Sequence, residues 1–242
     1  MRTVHDHYSM HLSSVYSWMA GGVEAALVRG SAELDSIGLS PGTTRQAVDL
    51  GAGFGMHSIP LARRGFSVTA IDTSTELLQE LTAHAGGLPI RTAEADILGF
   101  RRYLTSVPEV VLCMGDTLTH LPTLESVGSL FAEVAGVLDE SGTFVLTFRD
   151  YTTALSAEQR FIPVRSDADR ILTCFLEYDD THVTVHDLLH ERETSQWKLR
   201  VSSYRKLRLA PEWVSRALEN HGFRVAQEAA LGGMVRLVAR RK

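Results

Sequence analysis

The sequence predicts an α/β fold: a doubly wound, mostly parallel seven-stranded sheet with a C-terminal antiparallel hairpin pair and an inserted antiparallel β meander. Three observations predict it. Residues 47–72, AVDLGAGFGMHSIPLARRGFSVTAID, read as an apolar strand, a glycine turn, a helix, and a second apolar strand that ends on an acid. Strand-like and helix-like segments then alternate as far as Phe148, which argues for parallel strands covered by helices on both faces. From Arg170 to Leu209 the alternation gives way to long strand-like runs joined by short polar turns, the pattern of a meander.

The elements follow in order. Within residues 8–37, Tyr8, Leu12, Val15, Tyr16, Met19, Val23, Ala26 and Leu27 recur at helical spacing, and Gly21-Gly22 breaks the run. Residues 1–44 are expected to form a helical lid on the domain of residues 45–242. Pro41-Gly42 turns the chain into the first strand, Ala47 to Leu50. Phe66 to Ile71 is the second strand, with Asp72 at its end. Thr73-Ser74-Thr75-Glu76 reads as a capping box for a helix to about Ala85, where Gly86-Gly87 stops it. Ile90 to Ala95, Glu109 to Met114 and Thr143 to Phe148 are further strands, and Leu124 to Leu138 is an amphipathic helix. The insertion, residues 160–209, is expected to hold strands Arg170 to Tyr178, His182 to Thr194 and Trp197 to Leu209. Pro211 is well placed to open a helix to about Asn220. Phe223 to Ala230 and Met234 to Ala239 close the sheet.

Composition narrows the class. A chain of 242 residues with 44% hydrophobic and 22% charged residues is ordinary for a globular domain. The formal net charge of −5 shows no footprint for nucleic acid. No apolar run approaches the ~20 residues that span a bilayer, and the N-terminus has no signal-peptide core. Cys113 and Cys174 have no metal-like spacing and read as buried free thiols, which suits a cytoplasmic protein.

In an open α/β sheet, ligands bind beyond the carboxyl ends of the strands. That rule selects Asp49 to Gly55, Asp72, Asp96-Ile97, Met114 to Asp116 and Arg149 to Tyr151. Glycines after the first strand admit a ligand close to the backbone, and an acid after the second suits a ribose diol. The turn spacing is G-x-G-x-G, and Met56 stands where a dinucleotide fingerprint has its third glycine. Asp49, two residues before the turn, favours a cationic ligand over a pyrophosphate.

VDLGAGFG followed by VTAIDTS resembles the first and acidic-strand motifs of class I S-adenosylmethionine-dependent methyltransferases, which have a Rossmann-like sheet. The resemblance covers about residues 45–150 and 210–242. It implies S-adenosyl-L-methionine as cofactor. Gly51, Ala52 and Gly53 would line its methionine part and Asp49 would lie near its ammonium. Asp72, followed by Thr73, would hold the ribose; Asp96 and Ile97 would meet the adenine; and Met114 would flank the adenosyl group. CMGDTLTHL, Cys113 to Leu121, is similar to the GNSFAHL segment of glycine/sarcosine N-methyltransferases at Gly115 and His120-Leu121. TFRDY, Thr147 to Tyr151, is similar to their DHRNY segment at Arg149 and Tyr151. By that likeness Arg149 would grip an acceptor carboxylate. The family's asparagine is Asp116 here and its histidine is Phe148, so the acceptor stays open.

Asp116 and His120 are the candidates to attract or deprotonate an acceptor amine; the plainer reading of His120 is a loop hydrogen-bonder. Tyr8, with Tyr16 and Trp18 as neighbours, is the candidate lid contact to the sulfonium. His5, His7 and His11 lie at the terminus. His182, His186 and His190 are spaced four apart on a strand, ~13 Å, too far to share an ion, so no metal is expected. The expected activity is methyl transfer to a small molecule. A nicotinamide-dependent oxidoreductase and a non-catalytic cofactor-binding module are the alternatives. The expected partners are a small-molecule acceptor, neither nucleic acid nor membrane, with the meander either covering the acceptor or forming a homodimer edge.

Overall fold

The computed structural model describes residues 7–229 and 233–242. A π-helical turn, Tyr8–Leu12, leads into α1 (Ser13–Met19) and, past Gly21-Gly22, into α2 (Val23–Ile37). Then follow β1 (Gln46–Leu50), α3 (Ser58–Arg63), β2 (Ser67–Asp72), α4 (Thr75–Ala85), β3 (Ile90–Glu94), β4 (Val110–Cys113), α5 (Leu124–Val137) and β5 (Thr143–Phe148). The insertion holds β6 (Phe161–Ser166), β7 (Arg170–Tyr178), β8 (His182–Glu193) and β9 (Gln196–Leu207). The chain closes with α6 (Pro211–Asn220), β10 (Phe223–Ala229) and β11 (Val235–Arg241).

Seven strands form one sheet in the order β10-β11-β5-β4-β1-β2-β3. β1 to β5 run parallel, and β11 is antiparallel to both β5 and β10. The central strands β4 and β5 are buried on both faces, as the continuous runs VVLC and TFVLTF require. One face packs Val48, Leu50, Val111, Phe144 and Leu146 under α5 and α6. The other packs Ala47, Val68, Leu112 and Val145 under α2 and α3. The strand order reverses around β1, so a crevice opens between the carboxyl ends of β1 and β4.

β6 to β9 form a separate antiparallel sheet in sequence order. Its inner face carries Leu172, Leu176, Val183, Val185, Leu189 and Tyr204, and it receives Leu12 and Val15 from the N-terminal helices. The insertion therefore has four strands, not the three anticipated. β6 escaped notice because its six residues are all exposed and show no alternation, it contains Pro163, and its pairing with β7 is irregular. The cap of α4 lies one residue later than the motif implied. Ser74 is the N-cap and accepts from the Leu77 N–H, while Glu76 takes the Ser74 hydroxyl. Cys113 is buried as anticipated, whereas Cys174 is half-buried and donates its thiol to Asp187. The terminal strand drawn to Ala230 is seen to Ala229; Ala230 and His5 lie outside the described residues.

Candidate active site

A cavity of about 450 Å³ fills the crevice at the carboxyl ends of β1, β2 and β4. Its floor is the turn after β1. Gly51 has φ +76, and a Cβ on it would stand 2.4 Å from Thr117 Oγ1, so only glycine fits there. The Gly51 and Ala52 N–H groups donate to the Ile71 carbonyl, which ties this turn to β2. Asp72 lines the wall. Its two carboxylate oxygens accept from the N–H groups of Gly53 (2.8 Å) and Ser74 (2.9 Å). Burial raises its pKa, and these N–H donors oppose the rise.

Of the residues singled out for a cofactor, Tyr8, Gly51, Ala52, Gly53, Asp72, Thr73, Asp96, Ile97 and Met114 all line this cavity. Asp49 does not. It is buried beneath the turn and accepts from the Ser58 hydroxyl at 2.6 Å, and burial raises its pKa. Asp96 also accepts from the Leu98 N–H, at the start of the turn that carries Ile97. Tyr16, Phe54, Met56, His57, Thr117, Leu121 and Pro122 complete much of the lining. Among the described lining residues none is Lys or Arg, and the two carboxylates are Asp72 and Asp96.

His120 lines the cavity too. Its ring stacks on Tyr204 (5.4 Å, 17°) and meets Tyr8 edge-on (5.7 Å), and its Nδ1 is buried without a hydrogen-bond partner among the described residues. Burial, and then the Lys206 charge, push its pKa down to about 3, so the imidazole is neutral at physiological pH.

Asp116, Arg149 and Tyr151 sit beside the cavity rather than on its lining. Asp116 has φ +75, a conformation that Asp tolerates better than most residues. Its carboxylate is filled by four donors. The Lys206 ammonium (2.5 Å) and the Tyr151 hydroxyl (3.1 Å) reach one oxygen, and the Arg149 N–H (2.9 Å) and Thr119 hydroxyl (3.0 Å) reach the other. Burial works to raise the Asp116 pKa, but the Lys206 charge and the Arg149 N–H outweigh it and hold the carboxyl low. The Lys206 pKa rises because Asp116 more than offsets its burial. The Arg149 side chain is exposed and pairs with no carboxylate among the described residues. Asp150 instead binds Thr152. Lys206 was invisible in the sequence: it lies 90 positions from Asp116 and reaches it only because β9 folds back over the crevice. The histidines of β8 are apart, with His186 on Glu177 (2.6 Å) and His182 near Asp179 (4.0 Å).

Residues 47–142 match the family model of the methyltransferase domain. That segment, less than half of the chain, is similar to a methyltransferase domain. Over 113 residues it is 31% identical to the glycine/sarcosine N-methyltransferase of Aphanothece halophytica, a match covering 46% of this chain and 43% of that relative. The chain thus spans less than half the length of the glycine/sarcosine N-methyltransferases it matches. The CcbJ methyltransferase from Streptomyces caelestis superposes with a TM-score of 0.78 at 19% identity, over 97% of both chains. CalS10 from Micromonospora echinaspora, an amino pentose methyltransferase with S-adenosylmethionine bound, superposes with a TM-score of 0.72 at 16% identity, over 95% of this chain and 96% of that one. At such identities the likeness is one of fold. The inserted sheet and the N-terminal helices fall within it, so the methyltransferase fold extends well beyond the matched residues.

Proposed function

We propose that this protein transfers a methyl group from S-adenosylmethionine to an amine of a small-molecule acceptor. One observation carries the reading: the cavity offers carboxylates and aromatic rings, with no Lys or Arg among its described lining residues. Such a wall attracts a cation and repels a pyrophosphate. That disfavours a nicotinamide-dependent oxidoreductase.

In this reading Gly51, Ala52 and Gly53 line the methionine part, and Asp49 sets the turn from below. Asp72 and Thr73 hold the ribose, Asp96 and Ile97 the adenine, and Met114 the adenosyl flank, with Tyr8 as roof. When bound, S-adenosylmethionine supplies a methyl group already activated by its positive sulfur. The chain's task is placement of the acceptor at near-attack distance, ~3–3.5 Å. His120 is a neutral hydrogen-bonding wall for the acceptor. Asp116 fixes Lys206, Tyr151 and the β5 end. The finer proposal is an amine bearing a carboxylate, gripped by Arg149. It is supported by the glycine/sarcosine relatives and by the fork geometry of a guanidinium. An amino sugar is the competing acceptor, after CalS10.

The test is turnover with S-adenosylmethionine and a panel of glycine, sarcosine and amino sugars, read by mass spectrometry. Methylated glycine or sarcosine, with an Arg149→Ala variant raising KM for these about tenfold or more, supports the clamp. Amino-sugar methylation indifferent to Arg149 overturns the clamp and keeps the methyltransferase. No turnover across amines, with cofactor bound, favours the non-catalytic module.

The acceptor proposed is not nucleic acid, given the net charge of −5. The proposed setting is the cytoplasm, argued from two unpaired cysteines. No helix among the described residues is long and apolar enough to cross a membrane. The outer face of the inserted sheet exposes Phe161, Ile171, Trp197, Leu199 and Val201, and we propose it as a homodimer contact.

A further inference from the structure

We propose that His7 is a positioning residue that latches the N-terminal segment to the inserted sheet and so holds Tyr8 over the cofactor cavity. This rests on the methyl-transfer reading and adds the device that closes its donor site.

His7 is 0% exposed. Its Nε2 lies 2.9 Å from Asp187 Oδ2 and its Nδ1 2.9 Å from Ser202 Oγ. One neutral tautomer satisfies both: Nε2–H donates to the carboxylate, and Nδ1 accepts the Ser202 hydroxyl proton. The ring packs on Tyr204 at 4.2 Å. The other Asp187 oxygen accepts from the Cys174 thiol at 2.9 Å. Cys174, Asp187 and Ser202 are register partners across β7, β8 and β9, so one row of the inserted sheet converges on a single histidine.

The neighbour of that histidine is the roof. Tyr8 lines the cavity, with its ring 5.7 Å from both Tyr16 and His120. Successive helical side chains diverge by roughly 100°. Seating His7 in the sheet therefore turns Tyr8 toward the crevice. An apolar side chain in the same space would leave the buried Asp187 carboxylate short of a donor and would not fix the segment's register as two directional bonds do. The Ser-His-Asp order does not make a hydrolase. Ser202 and Asp187 are buried, Ser202 is absent from the cavity lining, and a substrate carbonyl has no approach to the hydroxyl.

Cofactor exchange then requires Tyr8 to leave and His7 to release the sheet. The experiment compares wild type with His7→Ala, His7→Gln and Ser202→Ala. It measures S-adenosylhomocysteine affinity and dissociation rate, and the split between cofactor KM and kcat. We expect His7→Ala to weaken affinity about tenfold, the scale of one charge-assisted hydrogen bond. The loss should come mainly through faster dissociation, with cofactor KM rising more than kcat falls. His7→Gln should recover part of it, and Ser202→Ala should be intermediate. Unchanged dissociation in these variants, or a fall in kcat alone, overturns the latch. If His7→Ala does not fold, His7→Gln and Ser202→Ala decide by the same reading. Failure of wild type to bind S-adenosylhomocysteine instead overturns the methyl-transfer reading itself.

Discussion

Single residues carry most of the chemistry, and their environments make definite predictions. His120 titrates near 3 in the fold against an ordinary 6.5. A depressed histidine adds stability that is full above its unfolded value and is lost as pH falls from about 6.5 toward 3. Asp116, also held low, acts in the same direction at lower pH. Denaturant melts should therefore show stability falling between pH 7 and 5, and His120→Gln should remove ~1–2 kcal/mol of that fall. An unchanged slope contradicts the buried neutral imidazole. Lys206→Met strands the Asp116 carboxylate among three neutral donors, and breaking such a pair from one side costs roughly 3–5 kcal/mol. A melt within 1 kcal/mol of wild type shows that the pair is solvated. At this scale the sequence was legible where the candidate site lies on strand ends. Gly51 to Gly53, Asp72, Asp96 and His120 share one cavity because each follows a strand or its loop. Lys206, His7, Asp187 and Ser202 were not legible. Their partners are set by how the insertion folds back, and no local spacing encodes that.

Elements place these residues through local rules that the sequence states plainly. The turn after β1 needs positive φ at Gly51 and no side chain toward Thr117. Gly51→Ala should cost of order 1–3 kcal/mol in strain and contact, and it should also weaken cofactor affinity. Urea unfolding with and without S-adenosylhomocysteine separates the two effects. The helix after β2 starts at Ser74, and Ser74→Ala should cost about 1 kcal/mol with Asp72 still in place. β1, β2, β4 and β5 were readable because buried parallel strands are largely continuous apolar runs, whereas β3, IRTAE, has no buried residue. β6 was not readable, because an exposed edge strand with a proline and a bulge has neither alternation nor a run. The one-residue shift of the α4 cap shows the same limit: Thr73 and Ser74 are both good caps, and Ser74, whose N–H donates to the Asp72 carboxylate, takes the role.

At the scale of the whole molecule, the large sheet and the N-terminal helices enclose one crevice, and the inserted sheet packs against those helices. The parallel sheet supplies the cavity floor and the N-terminal helices its roof, while Tyr204 and Lys206 of the inserted sheet pack behind the lining, Tyr204 on His120 and Lys206 on Asp116. The apolar outer face of that insertion predicts self-association. Sedimentation should show a dimer at micromolar concentration, and the pair Leu199→Asp with Val201→Lys should shift it to monomer without loss of cofactor binding. A wild-type monomer contradicts the proposed contact. The alternation of strands and helices made the large sheet readable in outline, because parallel order follows from crossovers. The placement of the second sheet over the crevice depends on contacts between residues as distant as His7 and Ser202. The most direct measurement is a calorimetric titration of the wild-type chain with S-adenosylhomocysteine and, in parallel, with NAD. The carboxylates of the cavity, with no Lys or Arg among its described lining residues, predict saturable one-to-one binding of S-adenosylhomocysteine through its ammonium and ribose, weakened at least tenfold by Asp72→Ala, and none of the dinucleotide. Binding of NAD alone, or of S-adenosylhomocysteine with an affinity indifferent to Asp72, would contradict it.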